Sequence, residues 1–443
     1  MRRLLFIFSF LSLLVVDGKA QEVETLTLED CLRIGIDNNL SLEGKRKEIQ
    51  KSKYGVSENR SKLLPQITVI AGYNNNFDPP VSVTDGSSYG VPYNITKTLQ
   101  HTANAGLEMQ MPLFNQTLYT SMSIAKVMEE ISRLSYGKAR EDIIMQISKM
   151  YYLGQVTADQ IVLIKANITR LEELRDITQA FFDNGMSMEV DLKRVNINLE
   201  NLKVQYDNAQ AMMKQQLNML KYIMDYPAEK EFVLTPVNTD SITTVALTGL
   251  SENIYELQLS QSQVQLAEKQ KKIVSNGYIP SLSLTGSWRY AAYTDKGYHW
   301  FHSGPSNHWF RSYGLGLTLR IPIFDGLDKT YKIKKAMIDI ENSKLAWENA
   351  RKSLQTQYLN AVNDLMNNQR NFKKQKDNYL LAEDVYTVTS DRYREGIASM
   401  TEVLQDEMQM SEAQNNYISA HYNYRITNLM LLKLTGQIES LVK

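Results

Sequence analysis

The feature that most constrains this 443-residue chain is that it repeats itself. The stretch Lys62 to Gly72, with Leu64-Pro65 before an apolar–polar alternation, returns from Gly277 to Gly286 with Ile279-Pro280 in the same place. Gly106 to Phe114, ending Pro112-x-Phe114, returns as Gly316 to Phe324, ending Pro322-x-Phe324. Phe182-x-x-Gly185 returns as Tyr393-x-x-Gly396. The three pairs keep their order and are offset by 215, 210 and 211 positions, which marks a tandem duplication. The halves are 21–225 and 250–443, joined by a 226–249 segment that contains Pro227 and Pro236.

Each half reads as helix, strand, long loop, strand, very long helix, tight turn and return helix. Thr27-x-x-Asp30 has capping-box spacing, and helical composition then continues to about Lys62. From Gln116 to Phe182 there is no proline, and Ile161, Ile164, Ile168, Leu171 and Leu174 fall at helical spacing. A continuous helix there extends roughly 100 Å at 1.5 Å per residue, far beyond a globular helix. In the return helices Leu192, Leu199, Tyr206, Met213 and Leu220 keep a seven-residue interval, and so do Val403, Met410, Tyr417, Tyr424 and Leu431. Such a heptad implies helices packed side by side with supercoiling.

Strands are expected near 66–77, 103–112, 281–293 and 312–322. Their alternation is clean but for Ile70: Ile67, Val69, Ala71 and Tyr73 oppose Gln66, Thr68, Gly72 and Asn74, and Leu315, Leu317 and Leu319 oppose Gly314, Gly316 and Thr318. Segments of about 10 residues with one apolar and one polar face suit lipid outside and water inside. Trp288, Tyr290, Tyr293, Trp309, Phe310 and Tyr313 gather at strand ends, as interfacial girdles do. An ordinary sheet with one face on a core would need cover that the helices, packed on each other, do not offer. Four strands cannot close a barrel, and open edges are not tolerated in lipid, so copies of the chain must associate.

Other features narrow the class. Residues 1–20 read as a signal peptide: Arg2 and Arg3, an apolar run from Leu4 to Val16, and Gly18-Lys19-Ala20 before Gln21. No later run is long enough for a transmembrane helix. The formal net charge is zero and no basic domain stands out, which argues against nucleic acid; Lys45 to Lys53 reads as a solvated helix face. Cys31 is the one cysteine and reads as a small buried helix residue. No phosphate loop, nucleophile triad or metal-ligand spacing points to an enzyme.

These pieces resemble the TolC-like outer-membrane efflux protein family, the outer membrane factors. The resemblance covers nearly the whole mature chain: the duplication, Leu-Pro before a strand, Pro-x-Phe after one, and the aromatic-x-x-Gly turn. It implies a mainly α fold with a membrane β-barrel, in which a homotrimer supplies four strands per subunit to a twelve-stranded barrel above a coaxial α-helical tunnel. It further implies an exit channel for efflux or type I secretion, in the outer membrane with a large periplasmic portion. Its partners would be a periplasmic adaptor (membrane fusion protein), an inner-membrane pump and outer-membrane lipid, with no enzymatic activity and no cofactor. Gln21 stands where some relatives carry an acylated cysteine, so no lipid anchor is expected. The cargo stays open among drugs, bile salts, metal ions and polypeptides.

A channel needs a wettable wall, a closable constriction and a docking surface. Gly185, Ser187, Gly396 and Ser399 are the candidates for tip turns and adaptor docking, with glycine ending one helix and serine capping the next. Asp191 and Glu402 follow, each six residues after its glycine. Either acid complements a positive helix start. The resemblance implies that Glu402 also rings the closed entrance, with Asp406 beside Gln405, where a second acid is often found. Glu108, Arg289 and Arg320 are expected to face the lumen, to tune conductance or to pair across strands. His299, His302 and His308 lack tetrahedral ligand spacing and read as an external loop, so no metal site is assigned. Met186, Met188, Met400, Met408 and Met410 near the tip suit flexible packing or docking, and Cu(I) export is a second reading of them. The rival to the channel is a soluble periplasmic adaptor or coiled-coil scaffold.

Overall fold

In a computed structural model of the chain, residues 24–236, 249–294 and 309–442 are described. The expected signal peptide, residues 237–248 of the joining segment, and His299, His302 and His308 lie outside the described residues. The chain divides into two compact units, one of Met1–Leu40, Glu141–Gly249 and Leu359–Lys443, the other of Ser41–Arg140 and Leu250–Tyr358. Both units draw on both repeats: the first takes two pieces from the first half and one from the second, and the second takes one from each. Among the described residues no helix is long and apolar enough to cross a membrane.

The first unit is helical. Helix α1 (Leu28–Asn38) opens on Thr27, whose hydroxyl accepts from the Asp30 N–H while Asp30 accepts from the Thr27 N–H, the capping box expected from sequence. The helical run to Lys62 is broken, however. Asn39 leaves the helix at φ −57°, ψ 119° and donates its side-chain amide to the Ile223 carbonyl at 2.7 Å. Helix α2 (Leu40–Ser61) restarts beyond it. Asparagine competes for backbone partners, and here a tertiary partner decides the break.

Helix α3 (Gln116–Asp183) is continuous over 68 residues and α6 (Asp328–Arg394) over 67. Each turns back into a shorter helix, α4 (Glu189–Met224) and α7 (Met400–Leu434). Along α4 the buried positions Val195, Leu199, Leu202, Ala209, Gln216 and Leu220 follow the three- and four-residue steps of a heptad. Val195, Leu199, Leu202 and Ala209 join Leu171 and Leu174 of α3 and Val403 and Met410 of α7 in one apolar cluster. A second cluster gathers Cys31, Leu32 and Ile36 of α1 with Ile144, Ile147, Leu220, Met224 and Leu429. A short parallel pair, β1 (Glu24–Leu26) with β6 (Phe232–Leu234), adds Leu26, Phe232 and Leu234 to it. Cys31 is fully buried, and burial pushes its thiol up to about 12, so it is a packing residue.

The second unit holds the sheet, along with α2, α5 (Tyr255–Asn276) and the near ends of the long helices. Its strands are β2 (Gln66–Asn75), β5 (His101–Phe114), β7 (Ser281–Thr294) and β8 (Trp309–Arg320), all antiparallel, in the order β2-β5-β7-β8. The central β5–β7 pairing joins the two repeats. Two expectations shift. The long loop after β2 contains its own ribbon, β3 (Val81–Asp85) with β4 (Tyr93–Lys97). The fourth strand was expected to reach 322 but stops at Arg320. Pro322 has no N–H for the ladder and restricts Ile321 before it. The corresponding Pro112 stays inside the central strand β5, next to a register shift between Pro112 and Phe114.

Candidate functional site

The sheet has two chemically different faces. On one, Gln66, Thr68, Glu108, Gln110, Thr285 and Arg289 line a hollow of about 620 Å³. Glu108 and Arg289, from different repeats, form an ion pair at 2.6 Å across the β5–β7 seam, with each side chain 44% exposed. Arg320 extends the same face, opposite Ser281 in register. On the other face Ile67, Val69, Leu107, Leu315, Leu317 and Leu319 are all exposed, Leu315 to 80%. Both outer strands, β2 and β8, pair on one side only, and nearly every residue of each is exposed. An apolar surface bounded by two unpaired edges is an aggregation hazard in water unless something covers it.

The two tip turns share one backbone design. After α3, the Gly185 N–H donates to the Phe182 carbonyl at 2.9 Å and the Met186 N–H to Phe181 at 2.8 Å. After α6, Gly396 donates to Tyr393 at 2.9 Å and Ile397 to Arg392 at 2.8 Å. These are paired Schellman bonds, and they place Gly185 at φ 73° and Gly396 at φ 75°, the left-handed region where a Cβ is penalised. The preceding aromatics also meet across the repeats: the Phe181 and Tyr393 rings are 5.7 Å apart, and the Tyr393 hydroxyl donates to Thr178 at 3.3 Å.

The return helices start differently. Ser399 caps α7: its hydroxyl accepts from the Glu402 N–H at 3.3 Å, and Glu402 accepts from the Ser399 N–H at 2.8 Å. The Ser399 backbone bond, then its hydroxyl, hold the Glu402 carboxyl below the usual range, with Arg392 adding to the effect. In the first repeat the cap position belongs to Met188, with no side-chain cap bond, so Ser187 does not cap its helix as expected; it lies one residue too early. Asp191 pairs instead with Arg194 at 3.3 Å, and Arg194 also donates to Thr401 of α7. Asp406 is half-buried and makes no ion pair among the described residues. Arg194, Ile197, Thr401, Leu404, Gln405 and Met408 line a groove of about 380 Å³ beside these turns. Among the described residues no group of three or more His, Cys, Asp or Glu side chains could hold a metal ion.

Sequence reasoning missed a polar seam in the helical unit. Glu407, Gln414, His421 and Asn428 are buried at seven-residue intervals along α7. Gln414 accepts from Asn167 of α3 at 2.7 Å. Arg170 bonds Asn167 and reaches Glu383 at 3.4 Å. Burial pushes Glu407 up, opposed by Arg170. The seam's signal was the same heptad that exposed the apolar stripe, displaced four residues along the helix.

Comparison with known proteins identifies this architecture. The family model described as outer membrane efflux protein matches residues 34–224 and 248–437, one match in each repeat. The chain belongs to the outer membrane efflux protein family. It is 21% identical over 396 residues to the outer membrane protein TolC of Vibrio cholerae, covering 86% of this chain and 84% of that one. It is 20% identical over 437 residues to the alkaline protease secretion protein AprF of Pseudomonas aeruginosa, covering 96% and 86% respectively. Among solved structures, the channel CusC superposes with a TM-score of 0.77 at 15% identity, covering 96% of this chain and 95% of that one. Membership of the family places the protein in the outer membrane and disfavours the soluble scaffold reading.

Proposed function

We propose that the chain is one subunit of a trimeric exit channel, in which three four-stranded sheets close a twelve-stranded barrel and the helices form a periplasmic tunnel. One observation carries the reading: an apolar-faced sheet whose two edges both lack strand partners among the described residues. In lipid such edges must be closed, and like copies joined β8 to β2 close them without a new interface type. The hollow polar face then lines the pore, with Glu108, Arg289 and Arg320 as its charges. The tip groove and its turns would receive a periplasmic adaptor linked to an inner-membrane pump. Family members serve efflux and, in the case of AprF, protease secretion, so cargo choice falls to the pump.

Three copies of Glu402, kept ionised by the Ser399 cap, would ring the entrance and favour cations, with Asp191 and Asp406 behind. The test is to purify the mature chain in mild detergent, measure its mass by light scattering and record it in planar bilayers. A trimer with cation-selective conductance is expected, and Glu402→Ala should move the reversal potential toward zero. A monomer that never conducts refutes the channel; an unchanged reversal potential refutes the role of Glu402 alone.

A further inference from the structure

The four strands of the sheet carry four Asp, Glu, Lys or Arg side chains: Glu108, Arg289, Arg311 and Arg320. Three follow the polar face. Arg311 follows the apolar one, in register opposite Tyr290 and two residues before Tyr313, which opposes Trp288. From Leu315 onward the same face is aliphatic, with Leu315, Leu317 and Leu319 paired to Gly286, Leu284 and Leu282. Arg311 therefore stands where the aliphatic band gives way to aromatics, on the side of the sheet away from the strand ends that lead into α3 and α6.

Position and surroundings both matter. A cation on a lipid-facing strand is tolerated only close to the water interface, and tryptophan and tyrosine mark that level. The guanidinium is 6.0 Å from the Tyr313 ring centroid and has no ion pair or hydrogen bond among the described residues. Trp288 and Tyr290 meet edge to face at 5.5 Å beside it. Beyond Tyr290 the row continues through the small side chains of Ala105 and Ala71.

We propose that Arg311, with Tyr290 and Tyr313, is a binding site for the phosphate of an anionic lipid headgroup in the external leaflet. The planar guanidinium matches phosphate oxygens bidentately. A carboxylate partner would cancel that affinity, and none of the described residues supplies one. The acyl chains would lie along the aliphatic band below, so lipid is favoured over a soluble phosphate. This inference rests on the outer-membrane barrel proposed above.

The experiment uses the detergent-purified, delipidated full assembly and native mass spectrometry. It is incubated with equal amounts of diphosphorylated lipid A and the same glycolipid stripped of phosphate. The wild type should retain the phosphorylated form about fivefold over the other, as one charge-assisted bidentate contact allows. Arg311→Ala should erase the preference, Arg311→Lys should weaken it, and Lys344→Ala, an exposed helix cation elsewhere in the same unit, should keep it. No preference in the wild type, or an undiminished one in Arg311→Ala, overturns the proposal. So does displacement of the bound lipid by equimolar inorganic phosphate, which would make the site one for a free anion. Failure to insert into liposomes refutes the barrel reading and this site together, whereas insertion without phosphate preference refutes this site alone.

Discussion

Acidification should loosen the helical unit through His421, and its surroundings set the size of the effect. The ring is 3% exposed and stacks on Phe372 of α6 with centroids 5.0 Å apart. Its Nε2 accepts from the Arg425 Nε–H at 3.1 Å, so that nitrogen carries no proton. Burial, then Arg425, then Lys376 bring the imidazole down to about 4 from its ordinary 6.5. With the folded value below the unfolded one, the unfolded chain takes up the proton first as pH falls. The stability involved is intact above about 6.5 and is lost on the way down to about 4. Relative to neutral pH, the two values imply a loss of about 2 kcal/mol at pH 5 and about 3 kcal/mol at pH 4. Asp159 and Glu407, both raised by burial, act in the opposite sense on acidification, so the measurement must be a difference. His421→Gln keeps an acceptor for Arg425 and removes the titrating ring. Denaturant unfolding of the solubilised protein, followed by circular dichroism, should show the wild type losing about 2 kcal/mol more than this variant between neutral pH and pH 5. Parallel pH profiles for the two would refute the reasoning.

Three further outcomes follow from the geometry. Gly396→Ala forces a Cβ into a left-handed turn at φ 75° and should cost about 1–2 kcal/mol, read as faster amide exchange at the turn. Leu171→Ala, at a fully buried position in the α3–α4–α7 cluster, should cost about 2–5 kcal/mol in denaturant unfolding. Arg289→Gln breaks an ion pair that is 44% exposed on both sides, so stability should change by about 1 kcal/mol or less. Single-channel conductance should change more visibly, because the variant leaves Glu108 unneutralised on the polar face.

Much of the architecture could be read from one dimension. The 68 residues of α3 were legible because proline is absent and apolar residues recur at helical spacing. The two Schellman turns were legible in Phe182-x-x-Gly185 and Tyr393-x-x-Gly396, since few residues other than glycine accept the required backbone angle. The polar and apolar faces of the strands were legible because alternation has a period of two, and the Ser399–Glu402 cap because its partners are three residues apart. The aromatics near the tip and the polar residues of α7 were visible as letters but not as a seam. Asn167 and Gln414 are 247 positions apart, and nothing local says they touch.

Motifs that return in order some 210 positions on thus determined the repeat. Local periodicity determined the element types, the wet and greasy sides of the strands and the turns, because each of these depends on neighbours within about one heptad. Tertiary contact decided the rest. It chose β5 against β7 as the cross-repeat seam, broke the first helix at Asn39 through the Ile223 carbonyl, and drew His421 into an aromatic stack beside a guanidinium. It also left Arg311 alone on the apolar side of the sheet with no anion beside it among the described residues. Those outcomes depend on which distant surfaces meet and which polar groups lose water when they do, and desolvation is a property of the assembled interior rather than of any stretch of chain.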